Sequence, residues 1–172
     1  MNRIVALAVV TGISLAILSS TFFARAESTG DRAALARALQ GAWLPLESAI
    51  AMSQSEGTPI SAKYEIDDGA FQLSVYTMKA GSFSEVIVDY SAGMIAKVET
   101  ITDAGDLAAA QAQKDVLAKA TRTLAEATAD VVRQHAGYRA VNAVPSLDGD
   151  HPVVEVILFK GSDWKTVTGR LD

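Results

Sequence analysis

Cysteine is absent from the 172 residues, histidine occurs twice and proline four times. Without a thiol there is no disulfide, no thiol catalysis and no cysteine-based metal site, so the fold must hold by packing alone. Basic residues are in the minority, 15 Lys and Arg against 20 Asp and Glu, for a net charge of −5. A chain of this sign repels phosphate backbones. It also carries no basic stripe interleaved with aromatics, which removes nucleic acid from the partners to consider.

What is present begins with an export pattern. Arg3 gives a short basic start, Ile4 to Ala24 runs without a charge, and Ala24-Arg25-Ala26 has the small-x-small form of a signal-peptidase site. Residues 1–26 are therefore expected to be a signal peptide, and the mature chain periplasmic or secreted. The alternative is a retained membrane anchor, because an uncharged run of 21 residues meets the need for about 20. Ser19, Ser20 and Thr21 weaken the end of that run, and no basic cluster follows it. Arg3 and Arg25 leave with the segment, so 13 basic residues then face 20 acidic ones, a net charge of −7.

Along the remainder, Pro45 has no N–H to donate and is expected to start a helix rather than continue one, giving a short helix before it and a second to about Ser55. Ile60, Ala62, Tyr64 and Ile66 alternate with Ser61, Lys63 and Glu65, the period of a strand with one wet face. Asp68-Gly69 then turns the chain in hairpin fashion. "AFQLSVYT", "SEVIVDY" and "MIAKVET" follow as further strands, through turns at "KAG" and "SAG". The stretch 106–137 has no proline and a single glycine at its end. Leu117, Ala120, Leu124, Ala127 and Val131 recur within it at spacings of three and four, which predicts one long amphipathic helix, bent midway. "YRAVNAV" should be an edge strand or close early because of Pro145. "PVVEVILF" and "WKTVTGRLD" complete the set.

Glycines recur at a fixed offset. Gly57 and Gly137, Asp68-Gly69 and Asp148-Gly149, and Gly81-Ser82 and Gly161-Ser162 are each 80 positions apart, and the elements between them follow the same order. This predicts a duplication. The order of a helix, a strand, a hairpin and a strand closing in "VIVDYSAGMI" resembles the PepSY domain family, with Asp89, Gly93 and Met94-Ile95 matching the family's strand ending. The second copy matches the middle strands and lacks that ending. The resemblance implies an α+β fold of two PepSY-like repeats, 27–102 and 103–172. Each would be a helix followed by a small three- to four-stranded antiparallel sheet, the two packed as a pseudo-twofold body. It also implies a module outside the cytoplasm that restrains a peptidase or binds an envelope protein, and it supplies no catalytic residue.

Residue chemistry points the same way. His135 sits near a helix C-terminus, where the exposed carbonyls favour a cation. His151 follows Asp148 and Asp150 in a turn too tight for three ligands to converge. Neither histidine can be tied to a particular serine, no nucleophile elbow or phosphate loop is present, and Asp67-Asp68 point apart. No catalytic, metal or cofactor-binding residue is expected, and the chain reads as a non-enzyme. Trp43, Tyr76, Tyr90 and Trp164 are the expected protein-contact surface if they remain exposed, since such rings give large contact area at low entropy cost. The partner would be another extracytoplasmic protein, a peptidase among the candidates, and the membrane only if the first segment is retained. The alternative function is a carrier holding an apolar ligand between helix and sheet.

Overall fold

Alternating side chains build most of the molecule. The computed structural model describes residues 29–172, so the signal-peptide reading of 1–26 lies outside the described residues. Seven strands form: β1 (Thr58–Asp67), β2 (Ala70–Lys79), β3 (Ser82–Asp89), β4 (Met94–Thr100), β5 (Arg139–Asp148), β6 (His151–Lys160) and β7 (Asp163–Arg170). Four helices accompany them: α1 (Thr29–Ala38), α2 (Leu46–Met52), α3 (Ala104–Leu117) and α4 (Leu124–Gln134).

The strands make one antiparallel sheet in the order β4-β3-β2-β1-β5-β6-β7. This corrects the expected architecture of two small sheets packed as pseudo-twofold repeats. The fold is α+β, but its sheet is continuous, because β1 and β5 pair directly. That seam is short. It holds two residue pairs, Ala62 with Ala143 and Lys63 with Asn142, where each flanking hairpin has nine. Continuing the same register would set Pro145 opposite Ile60 and Pro59 opposite Ser146, and neither proline can donate to a ladder. On the other side a bulge between Ala140 and Asn142 breaks the regular spacing. Pro145 therefore does not make β5 an edge strand or end it early. It sits in a central strand at a point where the ladder to β1 has already stopped.

The glycine offset also shifts. Thr58 and Arg139, Ala70 and His151, and Ser82 and Asp163 begin corresponding strands and are 81 positions apart, not 80. In the first hairpin Asp68 and Gly69 are both left-handed, with φ of 45° and 80°, as a type I′ turn requires. In the second hairpin only Gly149 is left-handed, with φ of 61°, while Asp148 is still in the strand and pairs with His151. The two Asp-Gly pairs thus occupy different turn positions.

The sheet is covered on both faces. Tyr64, Leu73, Val75 and Val86 of the first strands, with Val154, Val156 and Leu158 of β6, share a core with Leu46, Ala49 and Ile50 of α2 and with Leu124, Ala127 and Val131 of α4. Each large side chain fully buried there contributes about 1.5–3 kcal/mol. Ile60, Tyr76, Met78 and Phe83 meet Leu107, Ala110 and Leu117 of α3 instead. Tyr76 and Met78 alternate with Val75 and Thr77 along β2, so α3 lies on the opposite face from α4. The long helix expected over 106–137 is consequently two helices, and residues 118–123 carry the chain from one face to the other. A distant contact and a local start signal together break it. The N–H groups of Thr121 and Arg122 donate to the Leu171 carbonyl at 2.8 and 3.0 Å, and Thr123 opens α4 with a capping box to Glu126. On its own face α4 approaches closely because β7 offers Gly169, where a Cβ would stand 2.6 Å from Val131 Cγ2.

Arg139, the first residue of β5, reaches across to the other half. Its guanidinium donates to the carbonyls of Leu39 at 3.1 Å, Ala42 at 2.5 Å and Leu44 at 3.2 Å, and to Tyr64 Oη at 3.4 Å. It also lies 5.2 Å from the Tyr64 ring centroid. Tyr64 donates its own proton to the Leu44 carbonyl at 2.6 Å. Burial pushes the Tyr64 hydroxyl up to about 12, with the Arg139 charge opposing that rise. Replacing Arg139 by methionine keeps the aliphatic stem and strands these carbonyls, at an expected cost of about 2–4 kcal/mol. Urea unfolding measures it, and a loss below about 0.5 kcal/mol, the ordinary surface range, would show that the clamp is idle.

Candidate functional site

Each of the four aromatics expected to form a contact surface has a local environment of its own. Trp43 is 62% exposed; its indole N–H donates to the Ser91 carbonyl at 2.7 Å, and its ring lies against Gly93, within 3.3 Å of where a Cβ would be. Tyr90 is half-buried against Phe71 and Tyr64, at ring centroid distances of 4.7 and 6.5 Å. Tyr76 lies on the opposite sheet face, and Trp164 packs on Phe159 at the β7 edge, 4.5 Å between centroids. Trp43 and Tyr90 are thus neighbours around the turn between β3 and β4, and the structure does not bring the other two to them. Only Trp43 presents most of its surface.

The residues that carried the family resemblance form that same turn. Asp89 Oδ1 accepts from the backbone N–H of Ser91 and of Ala92, both at 2.8 Å, and from Ser91 Oγ at 2.6 Å. These bonds, the Ser91 hydroxyl first, hold the Asp89 carboxyl below its ordinary range. Gly93 follows with a φ of 66°. Asp89 and Gly93 therefore have a complete explanation as turn formers.

The histidines are tied locally. His135 Nδ1 lies 2.7 Å from the Val131 carbonyl at the end of α4. His151 Nδ1 lies 2.9 Å from Asp172 Oδ2, whose carboxylate also takes two bonds from Arg170. Arg170 first and His151 second hold Asp172 below the usual carboxylate range. No cluster of three or more His, Asp or Glu among the described residues is arranged to hold a metal ion.

A polar cluster that sequence reasoning missed lies beside α3. Lys63 pairs with Glu65 at 2.5 Å and its amine stands 5.6 Å from the Tyr76 ring centroid. Tyr76 Oη donates to Glu85 at 3.3 Å, and Gln72 Nε2 donates to Glu85 at 3.2 Å and to Ser74 Oγ at 2.8 Å. Burial pushes the Glu65 carboxyl up, Lys63 opposing, and burial together with Asp103 and Glu85 does the same for Asp106 on α3. Tyr76 is raised by burial and by Glu65 and Glu85. Ser61 Oγ, at the strand position paired with Tyr76, is buried without a hydrogen-bond partner. The alternation of Ser61, Lys63 and Glu65 marks this face as wet. What could not be read is that α3 returns to cover it.

The open space is elsewhere. A hollow of about 720 Å³ lies at the rim between the end of α2, the start of β1, the β2–β3 turn, the end of α3 and the start of α4. Ile50, Pro59, Met78, Leu117 and Leu124 supply apolar wall, and Lys79 and Arg122 supply cations. Arg122 is fixed by Asp130 and by the Arg170 carbonyl at 3.2 Å. The arrangement can seat an apolar segment with an acidic end. It places no activated nucleophile beside a base.

The polar cluster has a pH signature. A carboxyl whose folded pKa is raised contributes stability that is complete below its unfolded value of about 4.3. That contribution is lost as pH rises through the folded value. Glu65→Gln should therefore gain stability over the native chain as pH rises from about 3.5 to 7, measured by urea unfolding at both. An advantage that shrinks with rising pH would mean that the Lys63 pairing outweighs burial.

No protein-family model matches the chain, and no curated protein matches it at a significant level. One crystal structure that does match comes from Clostridium difficile 630 and is named a "putative lipoprotein". It is 14% identical, covers 76% of this chain and 88% of its own, and superposes with a TM-score of 0.42. A likeness that loose assigns neither a family nor a function to this chain.

Proposed function

We propose that the protein is an exported, non-enzymatic interaction module that seats a segment of another extracytoplasmic protein in the rim groove. The observation that carries the reading is where space is left. Between the helices and the sheet, Leu46, Ala49, Ile50, Leu73, Val75, Ala127 and Val156 are fully buried, while the 720 Å³ hollow opens at the rim. A groove with apolar walls and two cations fits an extended segment carrying apolar side chains and a carboxylate. Export rests on the uncharged run of Ile4 to Ala24 and the small-x-small triplet after it. The PepSY resemblance adds a peptidase or an envelope protein as the partner class.

The carrier is the second reading, because the hollow also falls within the roughly 300–1,000 Å³ of small-ligand sites. Its ligand would occupy the same rim groove.

A photo-crosslinking residue at Met78 or Ala125, in the groove, separates the two. The module yields a discrete protein adduct in exporting cells at both positions and none at Thr168 on β7. Equal adducts at all three positions would overturn the groove as the docking site. No protein adduct, together with a small molecule retained in native mass spectrometry, would establish the carrier instead.

A further inference from the structure

The sheet ends in two unlike edges. β7 also has no strand on its outer side among the described residues, but α4 packs on one of its faces over Gly169. β4 has no strand on its outer side among the described residues, and six of its seven residues are exposed. An edge of that kind invites another strand unless it is covered or blunted by proline, a bulge or unmatched charge, and on β4 the charges are Lys97 and Glu99, which a facing strand must match. β4 contains no proline, and its one irregularity lies near Ala96, opposite the step from Ile87 to Val88.

The phase of its ladder can be read. The Ile101 N–H donates to the Phe83 carbonyl at 3.0 Å. Antiparallel residues alternate between facing the partner strand and facing away, so Glu99 and Lys97 also turn their backbone groups to β3. Val98 and Thr100 turn theirs outward. Two copies of β4 can then pair antiparallel about Val98, with Val98 opposite Val98 of the second copy. Lys97 falls opposite Glu99 of the second copy, and Glu99 opposite its Lys97. Ala96 falls opposite Thr100. Centring the pair on Lys97 or on Glu99 would instead set like charges directly opposite, and a half-step register would put the backbone groups out of phase.

The side chains favour the Val98-centred pairing on both faces. Glu99 is paired across β3 with Glu85, a like-charge contact, and its cation is Lys97 of the same strand at 2.8 Å. Lys97 of the second copy would add a cation to this acidic row. On the other face Val98, 44% exposed and paired with Val86, would be covered by its own copy. We infer that β4 is a homodimer edge, joining two chains antiparallel about Val98 into a sheet of twice seven strands. The inference uses none of the groove residues and goes beyond the module reading.

Sedimentation equilibrium of the purified protein tests it. A dimer is expected. Lys97→Glu and Glu99→Lys should each raise its dissociation constant by about tenfold or more, and the double variant should restore it. Because the chain has no cysteine, Val98→Cys adds a single thiol. The facing residues stand about 5.5 Å apart at Cα, within reach of a short bifunctional thiol reagent, so that reagent should trap this variant as a dimer and leave Thr168→Cys monomeric. Circular dichroism confirms that each variant folds. A protein monomeric at every concentration, a double variant no tighter than the single ones, or equal trapping at positions 98 and 168 would overturn the proposal.

Discussion

The whole structure depends on a seam two residue pairs wide. β1 and β5 meet at Ala62, Lys63, Asn142 and Ala143, and the prolines on one side and the bulge on the other prevent a longer ladder. Such a join would be weak if backbone hydrogen bonds were its only support. Arg139 strengthens it by gathering the carbonyls of Leu39, Ala42 and Leu44 and the hydroxyl of Tyr64 around one guanidinium. These are charge-assisted bonds in a half-buried site, stronger than neutral ones. They bind the segment ahead of α2 and the first strand of one half to the first strand of the other.

The remaining packing follows from that join. Once the sheet is continuous, α2 and α4 share one face of it, and α3 can reach the other only if residues 118–123 pass from face to face. Leu171 makes that passage possible. Its side chain is fully buried, its carbonyl accepts from Thr121 and Arg122, and its N–H donates to the Pro152 carbonyl. The hollow among the described residues then lies at the rim, where α2, α3, α4 and the β2–β3 turn meet. The groove is a consequence of how the helices are divided between faces.

Local pattern in the sequence was enough for the strands. Period-two alternation located the first four, the turn residues and the repeat placed the last three to within a few residues, and Pro45 marked the start of α2. The division of residues 106–137 was missed because Leu124 to Val131 keep helical spacing with α3; its local sign was the Thr123 to Glu126 capping box, and the turn before it is held by Leu171, far along the chain. The glycine offset misled by one residue, since Asp68-Gly69 and Gly149 sit in turns of different type. Of the expected contact residues Trp43 is legible as exposed, standing beside a proline break. Arg139 gave no signal at all, because an arginine at the head of a strand resembles any solvated end. The groove was equally hidden, as its wall is assembled from five separate elements.

Amide hydrogen exchange followed residue by residue tests most directly whether the two halves are one cooperative body. If the seam and the Arg139 clamp hold them together, the protected β1–β5 amides exchange at the same free energy as those of β2 and β6, through global unfolding only. Seam amides exchanging at markedly lower free energy, with β2 and β6 protected to different extents, would contradict this. The protein would then be two separately unfolding units that merely touch.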